Sequence, residues 1–115
     1  MIITIIEDGK KYEYNVYRFD PCTDIEPFKS LESENPFPIG YDLDEVIEES
    51  NSGESDYIWI CRNVYGVVVG YCSTYSADGV VEGCSVNDRL LSNLYVKPEF
   101  RNKAAAKAML LGINI

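Results

Sequence analysis

A short basic segment, residues 100–103 with the sequence FRNK, lies near the end of the 115-residue chain. The apolar residues before it predict a strand over 91–96, and Pro98 then separates this strand from a predicted alanine-rich helix. Backbone N–H groups at a helix N-terminus, with the cations Arg101 and Lys103 beside them, suit a phosphate group. The sequence therefore predicts an anion-binding turn between a strand and a helix.

Other reactive side chains form weaker patterns. Glu82 and Cys84 closely precede the predicted strand, but no partner in the sequence would tune either one as a base or nucleophile. We therefore predict structural roles for both. The chain has no histidine, and its four cysteines form no C-x-x-C pair. We accordingly predict no zinc site and no His-based triad, and we expect reduced, mostly buried thiols.

Residues 94–101, LYVKPEFR, resemble the L-x-V-x-P-x-x-R segment of the GNAT superfamily of acyl-CoA N-acetyltransferases. In that family, a following R-x-x-G-x-G/A turn wraps the pyrophosphate of coenzyme A with main-chain amides. The turn here is residues 101–106, RNKAAA, in which Arg101 matches the opening position and Ala106 the last one. Ala104 stands where the family has glycine, and its methyl group narrows the approach of a pyrophosphate to the backbone.

This resemblance implies a fold and a set of cofactor-binding residues. The fold is α+β, with a mixed, mostly antiparallel sheet, an N-terminal hairpin, two short helices after the first strands and a C-terminal helix. In an active member, the main chain of the last strand would bind the pantetheine arm, and the turn would bind the pyrophosphate. The residues implied are Leu94, Tyr95, Val96, Arg101, Asn102, Lys103, Ala104, Ala105 and Ala106. We predict no catalytic residue and no metal site.

A first hairpin is predicted at the start of the chain. Asp8 and Gly9 separate two strand-like stretches, residues 2–6 and 11–19, and Asp-Gly in that position is a strong turn signal. The second stretch resembles the first strand of the family, so the leading isoleucine-rich strand is an addition. At a sheet edge, it would offer a surface for another chain to pair with.

Two short helices are predicted after this hairpin. Thr23-x-x-Glu26 and Asp42-x-x-Glu45 have the spacing of capping boxes, in which a side chain at each end satisfies a backbone N–H of the first turn. Pro27 fits within the first turn of the first helix. The proline-rich stretch between them, residues 35–40, is predicted to be a loop.

A second hairpin is predicted in the middle of the chain. Residues 57–64 and 67–75 are rich in β-formers and flank a turn at Tyr65-Gly66. Gly70 falls where many GNAT proteins have a strand glycine. Residues 80–84 are predicted to continue the antiparallel meander.

The composition excludes several classes of function. A net charge of −9 argues against a broad basic surface for nucleic acid or an anionic membrane. There is no apolar run long enough for a bilayer, and the N-terminal residues lack the features of a signal peptide. We predict one domain, residues 1–115, in the cytoplasm, or associated with a virion in a host cytoplasm.

The chain ends soon after the predicted helix, so the resemblance covers roughly two-thirds of a family domain. A half-open sheet leaves unpaired edge groups and apolar surface uncovered. We therefore expect a protein partner or a homo-oligomer that uses the open sheet edge and the C-terminal helix. The expected helix contacts are Ala105, Ala108, Met109 and Ile113.

Three functions remain open. The first is a non-catalytic GNAT-derived interaction or structural module without a cofactor, for example a viral or phage assembly component. It is favoured by Ala104, by the early chain end and by the missing helix that often carries a tyrosine acid. The second is an acetyl-CoA-dependent N-acetyltransferase, minimal or completed by a partner. The third, an acidic mimic that occupies a nucleic-acid-binding protein, depends on charge alone and ranks last.

Overall fold

A computed structural model describes residues 1–36, 44–45, 48, 57–76, 82–83 and 89–113. Their elements are β1 (Ile2–Glu7), β2 (Lys10–Arg18), α1 (Ile25–Glu34), β3 (Tyr57–Asn63), β4 (Val68–Ser76), β5 (Arg89–Val96), a 3₁₀ turn (Pro98–Phe100) and α2 (Ala105–Gly112). The strands form one sheet in the order β1-β2-β3-β4-β5, and all neighbours in it are antiparallel. The α+β class is confirmed. In the described part, no helix has the length and apolar character needed to cross a bilayer.

The first hairpin has the two-residue turn that its sequence predicts. Glu7 pairs with Lys10, and the φ angles of Asp8 and Gly9 are 52° and 76°. Two positive φ angles in succession define a type I′ turn, whose twist matches that of the strands it joins. The hairpin prediction is confirmed, and β1 lies at one edge of the sheet.

The two helices pack on opposite faces of the sheet and create two cores. Because successive residues of a strand point to opposite faces, Ile60 packs with α1 while Cys61 packs with α2. The core beneath α2 includes Ile3, Ile5, Tyr14, Val16, Cys61, Cys72, Val96, Ala105, Ala108 and Met109. The core beneath α1 includes Phe19, Phe28, Leu31, Ile58, Ile60, Val68, Tyr71 and Tyr95.

Helix α2 buries the side that we expected it to expose. Ala105, Ala108 and Met109 are between 0% and 2% exposed, and Ile113 packs against the same core. The prediction that these four residues form an exposed contact surface was therefore wrong. The physical reason is that α2 packs closely on the sheet, because Gly70 has no side chain and leaves room for the end of Met109. The exposed large apolar side chains of α2 are instead Leu110 and Leu111.

Helix α1 begins without the predicted capping box at Thr23 and Glu26. Its N-cap is Asp24, whose side chain makes no cap hydrogen bond. That carboxylate is fully buried and accepts hydrogen bonds from Tyr17 Oη and from Arg62 Nη2 on the sheet. The capping-box prediction was wrong because the helix begins one residue later than predicted, and the Thr23 hydroxyl donates to Asp24 Oδ1 instead of accepting from the first turn.

Several predicted segments lie wholly or partly outside the described residues. They include most of the loop at 35–40, the start of the second capping box at Asp42, and Cys84. Within the predicted second helix, Asp44, Glu45 and Glu48 have helical backbone. In the stretch predicted to continue the meander, Glu82 and Gly83 form a turn, and its other residues lie outside the described set.

The second hairpin is confirmed, with β3 and β4 joined by residues 64–67. The Asn63 side chain holds this turn by accepting hydrogen bonds from the N–H groups of Tyr65 and Val67, at 3.0 Å each. Gly66 has a φ of 79°, which glycine adopts without steric cost. Because β5 is antiparallel to β4 and Val96 pairs with Gly70, this turn lies at the same end of the sheet as the segment that follows β5.

Two buried thiols make the free energy of unfolding depend on pH in the alkaline range. Burial raises the pKa of Cys61 and that of Cys72 to about 12 each, from the ordinary value of 9.0. The stability that this shift contributes is fully present below pH 9. It is lost as the pH rises toward 12, because the unfolded chain releases thiol protons that the folded chain retains.

We expect each buried thiol to lower the free energy of unfolding by up to about 1.4 kcal/mol per pH unit within this interval. Urea denaturation at pH 8, 9 and 10 measures the slope. Because tyrosines and lysines also titrate there, the Cys72→Ala variant isolates the thiol term and should show a smaller slope. An unchanged slope in that variant would contradict the prediction.

Candidate anion-binding site

The turn between β5 and α2 is fixed to the sheet at both ends. The 3₁₀ turn Pro98–Phe100 follows β5, and Arg101 Nε then donates a hydrogen bond to the carbonyl oxygen of Val96 at 2.9 Å. Farther along, Tyr14 Oη on β2 donates to the carbonyl oxygen of Lys103 at 2.6 Å. These two bonds set the position of the turn relative to the end of β5.

Two residues of this turn adopt the left-handed backbone conformation. The φ angle is 63° at Asn102 and 65° at Ala104, which is the N-cap of α2. Asparagine tolerates this region, whereas for alanine it costs about 1–2 kcal/mol. The structure therefore supplies a second reason for the glycine of the family motif, since the backbone conformation itself favours glycine.

The N-terminus of α2 presents backbone donors toward this turn. The first hydrogen bond within the helix runs from the N–H of Ala108 to the carbonyl oxygen of Ala104, at 3.0 Å, and no side chain caps the helix. The N–H groups of Ala105, Ala106 and Lys107 precede that bond, so none of them has a partner within the helix. Together with the positive end of the helix dipole, they suit an anion.

An open pocket of about 230 Å³ lies beside these donors. It is lined by Glu7, Val96, Phe100, Arg101, Asn102, Ala104, Ala105, Ala106 and Lys107. Arg101 and Lys107 are its cations. Its carboxylate belongs to Glu7, which forms an ion pair with Lys107 Nζ. An entering anion would meet N–H donors and cations, and Glu7, the one carboxylate among the described lining residues, is already paired.

The pocket contains most of the predicted cofactor-binding residues, and the exceptions are Leu94, Tyr95 and Lys103. The side chains of Leu94 and Tyr95 pack into the cores on the two faces of the sheet. Lys103 does not line this pocket but a second cavity, and its Nζ lies 5.9 Å from the centre of the Phe100 ring. Of these three residues, the first two could therefore contribute only through their main chain.

The main chain of β5 offers hydrogen-bonding groups along its outer edge. The N–H of Lys97 donates to Val69 on β4, whereas the carbonyl of Val96 accepts from Arg101 on the other side. Because alternate residues of a strand direct their backbone groups to opposite edges, those of Leu94 and Val96 face away from β4. Among the described strands, none pairs with this edge. An extended chain of amides could therefore bind there as an added strand.

A β-bulge interrupts β5 at the far end of this edge. The pairing register shifts between Ser73 and Thr74 of β4, so that Ser92 is the extra residue on β5. Ser92 Oγ is hydrogen-bonded to Ser73 Oγ. Bulges bend a strand and open its edge, and they are frequent beside active sites.

Sequence reasoning missed Lys107, Glu7 and Ser92 as parts of this site. Lys107 was detectable, because it follows Lys103 by four residues and falls in the first turn of the predicted helix. Glu7 lies 100 residues from its partner in the chain, so no local pattern reveals it. The position of Ser92 depends on strand register, which also leaves no local signal. Glu82, considered earlier as a base, lies in an exposed turn.

A larger cavity, of about 410 Å³, lies on the other side of the turn. It is bounded by β2 and by the β3–β4 turn, and its walls include Tyr12, Tyr65 and Lys103. The outer edge of β5 and the first turn of α2 take no part in its walls. We therefore place the candidate anion-binding site in the smaller pocket, where N–H donors and the open strand edge meet.

A family model described as the acetyltransferase (GNAT) family matches residues 22–112. The curated proteins give no match. Among solved structures, AAC(6')-Iy in complex with the bisubstrate analogue CoA-S-monomethyl-acetylneamine is similar, with a TM-score of 0.64 and 18% identity. The match covers 87% of this chain and 68% of that one.

Two further structures are similar to this chain. Aminoglycoside N-acetyltransferase AAC(6')-Iy in complex with CoA has a TM-score of 0.62 and 19% identity, over 86% of this chain and 66% of that one. A GNAT-family acetyltransferase from Staphylococcus aureus Mu50 has a TM-score of 0.59 and 18% identity, over 87% and 62%. The chain thus spans about two-thirds of the length of these proteins. At such low identity, the likeness shows a shared fold.

Proposed function

We propose, from the premise that this chain belongs to the GNAT family of acetyltransferases, that it binds acetyl-CoA at the turn before α2 and along the outer edge of β5. The observation that carries the proposal is the backbone of Ala104, which keeps a left-handed conformation that is costly for alanine. Backbone strain of this kind is concentrated at ligand-binding sites. The strained turn also directs the N-terminus of α2 into the pocket.

Two sets of described residues would contact different parts of the cofactor. The N–H groups of Ala105, Ala106 and Lys107 would bind the pyrophosphate, with Arg101 and Lys107 supplying positive charge. In the manner of an added strand, the amide groups of the pantetheine arm would pair with the main chain of Leu94 and with the N–H of Val96, whose carbonyl oxygen already accepts from Arg101. The arm would then lead toward the bulge.

The reaction proposed for this site is acetyl transfer to an amine. A carbon–nitrogen bond would form between the amine and the thioester carbonyl carbon, the carbon–sulfur bond would break, and the proton lost by the amine would pass through solvent to the leaving thiolate of coenzyme A. The thioester would lie near Ser92, where the bulge opens the strand edge. Because two of the similar structures are aminoglycoside acetyltransferases, an aminoglycoside is the first acceptor to test.

Replacing Arg101 with glutamate is expected to weaken the binding of acetyl-CoA at least about tenfold, because a cation beside the pyrophosphate becomes an anion. Isothermal titration calorimetry with acetyl-CoA measures the change. Lys29→Glu is the matched control, since it makes the same change of charge on the exposed surface of α1, where Lys29 pairs with Glu26. Equal affinity of the wild type and Arg101→Glu would contradict the proposed site.

A second candidate function is the non-catalytic interaction or structural module. The specific observation that favours it is the Ala104 methyl group, which stands at the turn where a pyrophosphate would approach the backbone. If the chain is such a module, calorimetric titration of the wild type with millimolar acetyl-CoA should show no heat of binding. The Ala104→Gly variant extends the test, because binding by this variant alone would show that the alanine closes an otherwise intact site.

A further inference from the structure

Strand β1 forms an edge of the sheet that lacks the usual protection. Edge strands normally carry a lysine, a proline or a bulge that prevents another strand from pairing with them. Residues 2–6 read IITII and pair with β2 in unbroken register. The opposite edge is partly protected against pairing. There, β5 contains the bulge at Ser92, and the carbonyl oxygen of Val96 accepts a hydrogen bond from Arg101.

Three residues of β1 direct their backbone N–H and C=O groups toward this open edge. Met1 and Val16 exchange hydrogen bonds, Met1 donating to the carbonyl of Val16 and Val16 to that of Met1, each at 2.9 Å. Because hydrogen-bonded residues alternate along a strand, the N–H and C=O groups of Ile2, Thr4 and Ile6 point away from β2. In the part of the chain that the structure describes, no strand lies beyond them.

These three residues are spaced so that the edge complements itself. In an antiparallel pair with a two-fold axis at Thr4, each Thr4 faces its equivalent and each Ile2 faces the other copy's Ile6. All three residues then exchange bonds, which gives about six backbone hydrogen bonds. Registers centred on Ile3 or Ile5 would use only two of the three residues on each copy.

The side chains fit the same register. Ile2 and Ile6 are 64% and 75% exposed, and they lie on the face of the sheet opposite α2. Pairing about Thr4 would place each of them beside an isoleucine of the other copy, where β-branched pairs stabilise a sheet. Behind them on β2, Lys11 and Glu13 form an ion pair at 3.0 Å, so this surface carries little net charge despite the acidic chain.

We propose that two copies of this chain associate through β1, antiparallel and centred on Thr4, to form one continuous sheet. A six-residue strand pair is a small interface, so the dimer depends on protein concentration. Ile2, Thr4 and Ile6 take no part in the pocket beside α2. The dimer and the binding of acetyl-CoA can therefore succeed or fail independently.

Analytical ultracentrifugation from the low micromolar range to about 0.5 mM tests the dimer. The expected mass rises with concentration from that of the 13.0 kDa chain toward twice that value. Thr4→Pro removes an N–H that β2 does not use, and it should raise the dimer dissociation constant at least about tenfold. Thr4→Val, which keeps the N–H, is the matched control and should dimerise like the wild type.

Two further variants keep the test decisive if Thr4→Pro fails to fold. Ile6→Lys changes a side chain that is 75% exposed and should also yield a monomer. In a background with Cys22→Ser and Cys84→Ser, Thr4→Cys should form an intermolecular disulfide under mild oxidation, whereas Tyr65→Cys at the β3–β4 turn should not. A wild type that stays monomeric throughout, or a dimer that persists in both Thr4→Pro and Ile6→Lys, would overturn the proposal.

Discussion

Replacing Arg62 with methionine is expected to lower the free energy of unfolding by about 3 kcal/mol. The Asp24 carboxylate is fully buried between α1 and the sheet, and Arg62 Nη2 donates to it at 2.9 Å. Without the guanidinium, a buried charge would lose its cation. The cost lies at the lower end of the range for such pairs, because the side chain of Arg62 is 24% exposed and water reaches part of the site.

Tyr17 connects the two members of this pair. Its hydroxyl accepts a hydrogen bond from Arg62 Nε at 2.6 Å and donates one to Asp24 Oδ1 at 2.8 Å. Burial is the largest of the causes that raise the pKa of Tyr17 to about 12, so the hydroxyl keeps its proton at neutral pH. Methionine replaces the length of the arginine side chain but none of its donors, and the network loses its centre.

Thermal and urea denaturation measure this effect, and the melting temperature should fall by about 10 °C. A double variant, Asp24→Asn with Arg62→Met, removes both charges and should recover part of the loss, since no unpaired charge remains buried. Lys29→Met is the control, because it breaks an exposed ion pair that contributes at most about 1 kcal/mol. Equal losses in Arg62→Met and Lys29→Met would show that burial of the first pair has no consequence.

Replacing Gly70 with alanine is expected to destabilise the fold by about 2–3 kcal/mol and to abolish the binding of acetyl-CoA. A methyl group at this position would lie 2.6 Å from the carbonyl oxygen of Tyr95 and 3.3 Å from the Cα of Val96. Both atoms belong to the backbone of β5, so no rotation of a side chain relieves the clash. β5 must move away from β4, and with it the edge proposed to hold the pantetheine arm.

Gly66→Ala is the matched control for this variant. Gly66 has a φ of 79°, and nothing lies within 4 Å of an added methyl group. Its replacement therefore imposes backbone strain of about 1 kcal/mol without a clash, and binding should be unchanged. Denaturation and calorimetric titration of both variants separate the two effects. Wild-type affinity in a folded Gly70→Ala variant would show that the position of β5 does not control binding.

Local patterns in the sequence predicted the parts of the fold that neighbouring residues fix. The turn at Asp8-Gly9 and the turn at Gly66 formed where the dipeptides indicated, because their backbone conformations need only a few adjacent residues. The same applies to the order strand, turn and helix around Arg101. The family motif also marked Ala104 as the unusual position, and its φ of 65° gives the reason.

Other features depended on contacts between distant parts of the chain, which no local pattern contains. Thr23 and Glu26 had the spacing of a capping box, but the N-cap is Asp24, and its carboxylate bonds Tyr17 and Arg62 on the sheet. The apolar side of α2 had the pattern of a contact surface. It is buried instead, because Gly70 lets the helix approach its own sheet.

The sequence by itself determined the strands, the turns and the segment that carries the candidate anion-binding site, since backbone conformation and hydrophobic periodicity act over short distances. The tertiary structure alone decided which faces are covered and which edges stay open. It brings Glu7 and Lys107, which are 100 residues apart in the chain, into an ion pair. It also places Thr4 at the centre of an edge strand that no described strand pairs with on its outer side. These outcomes follow from strand order and register, which are properties of the whole sheet.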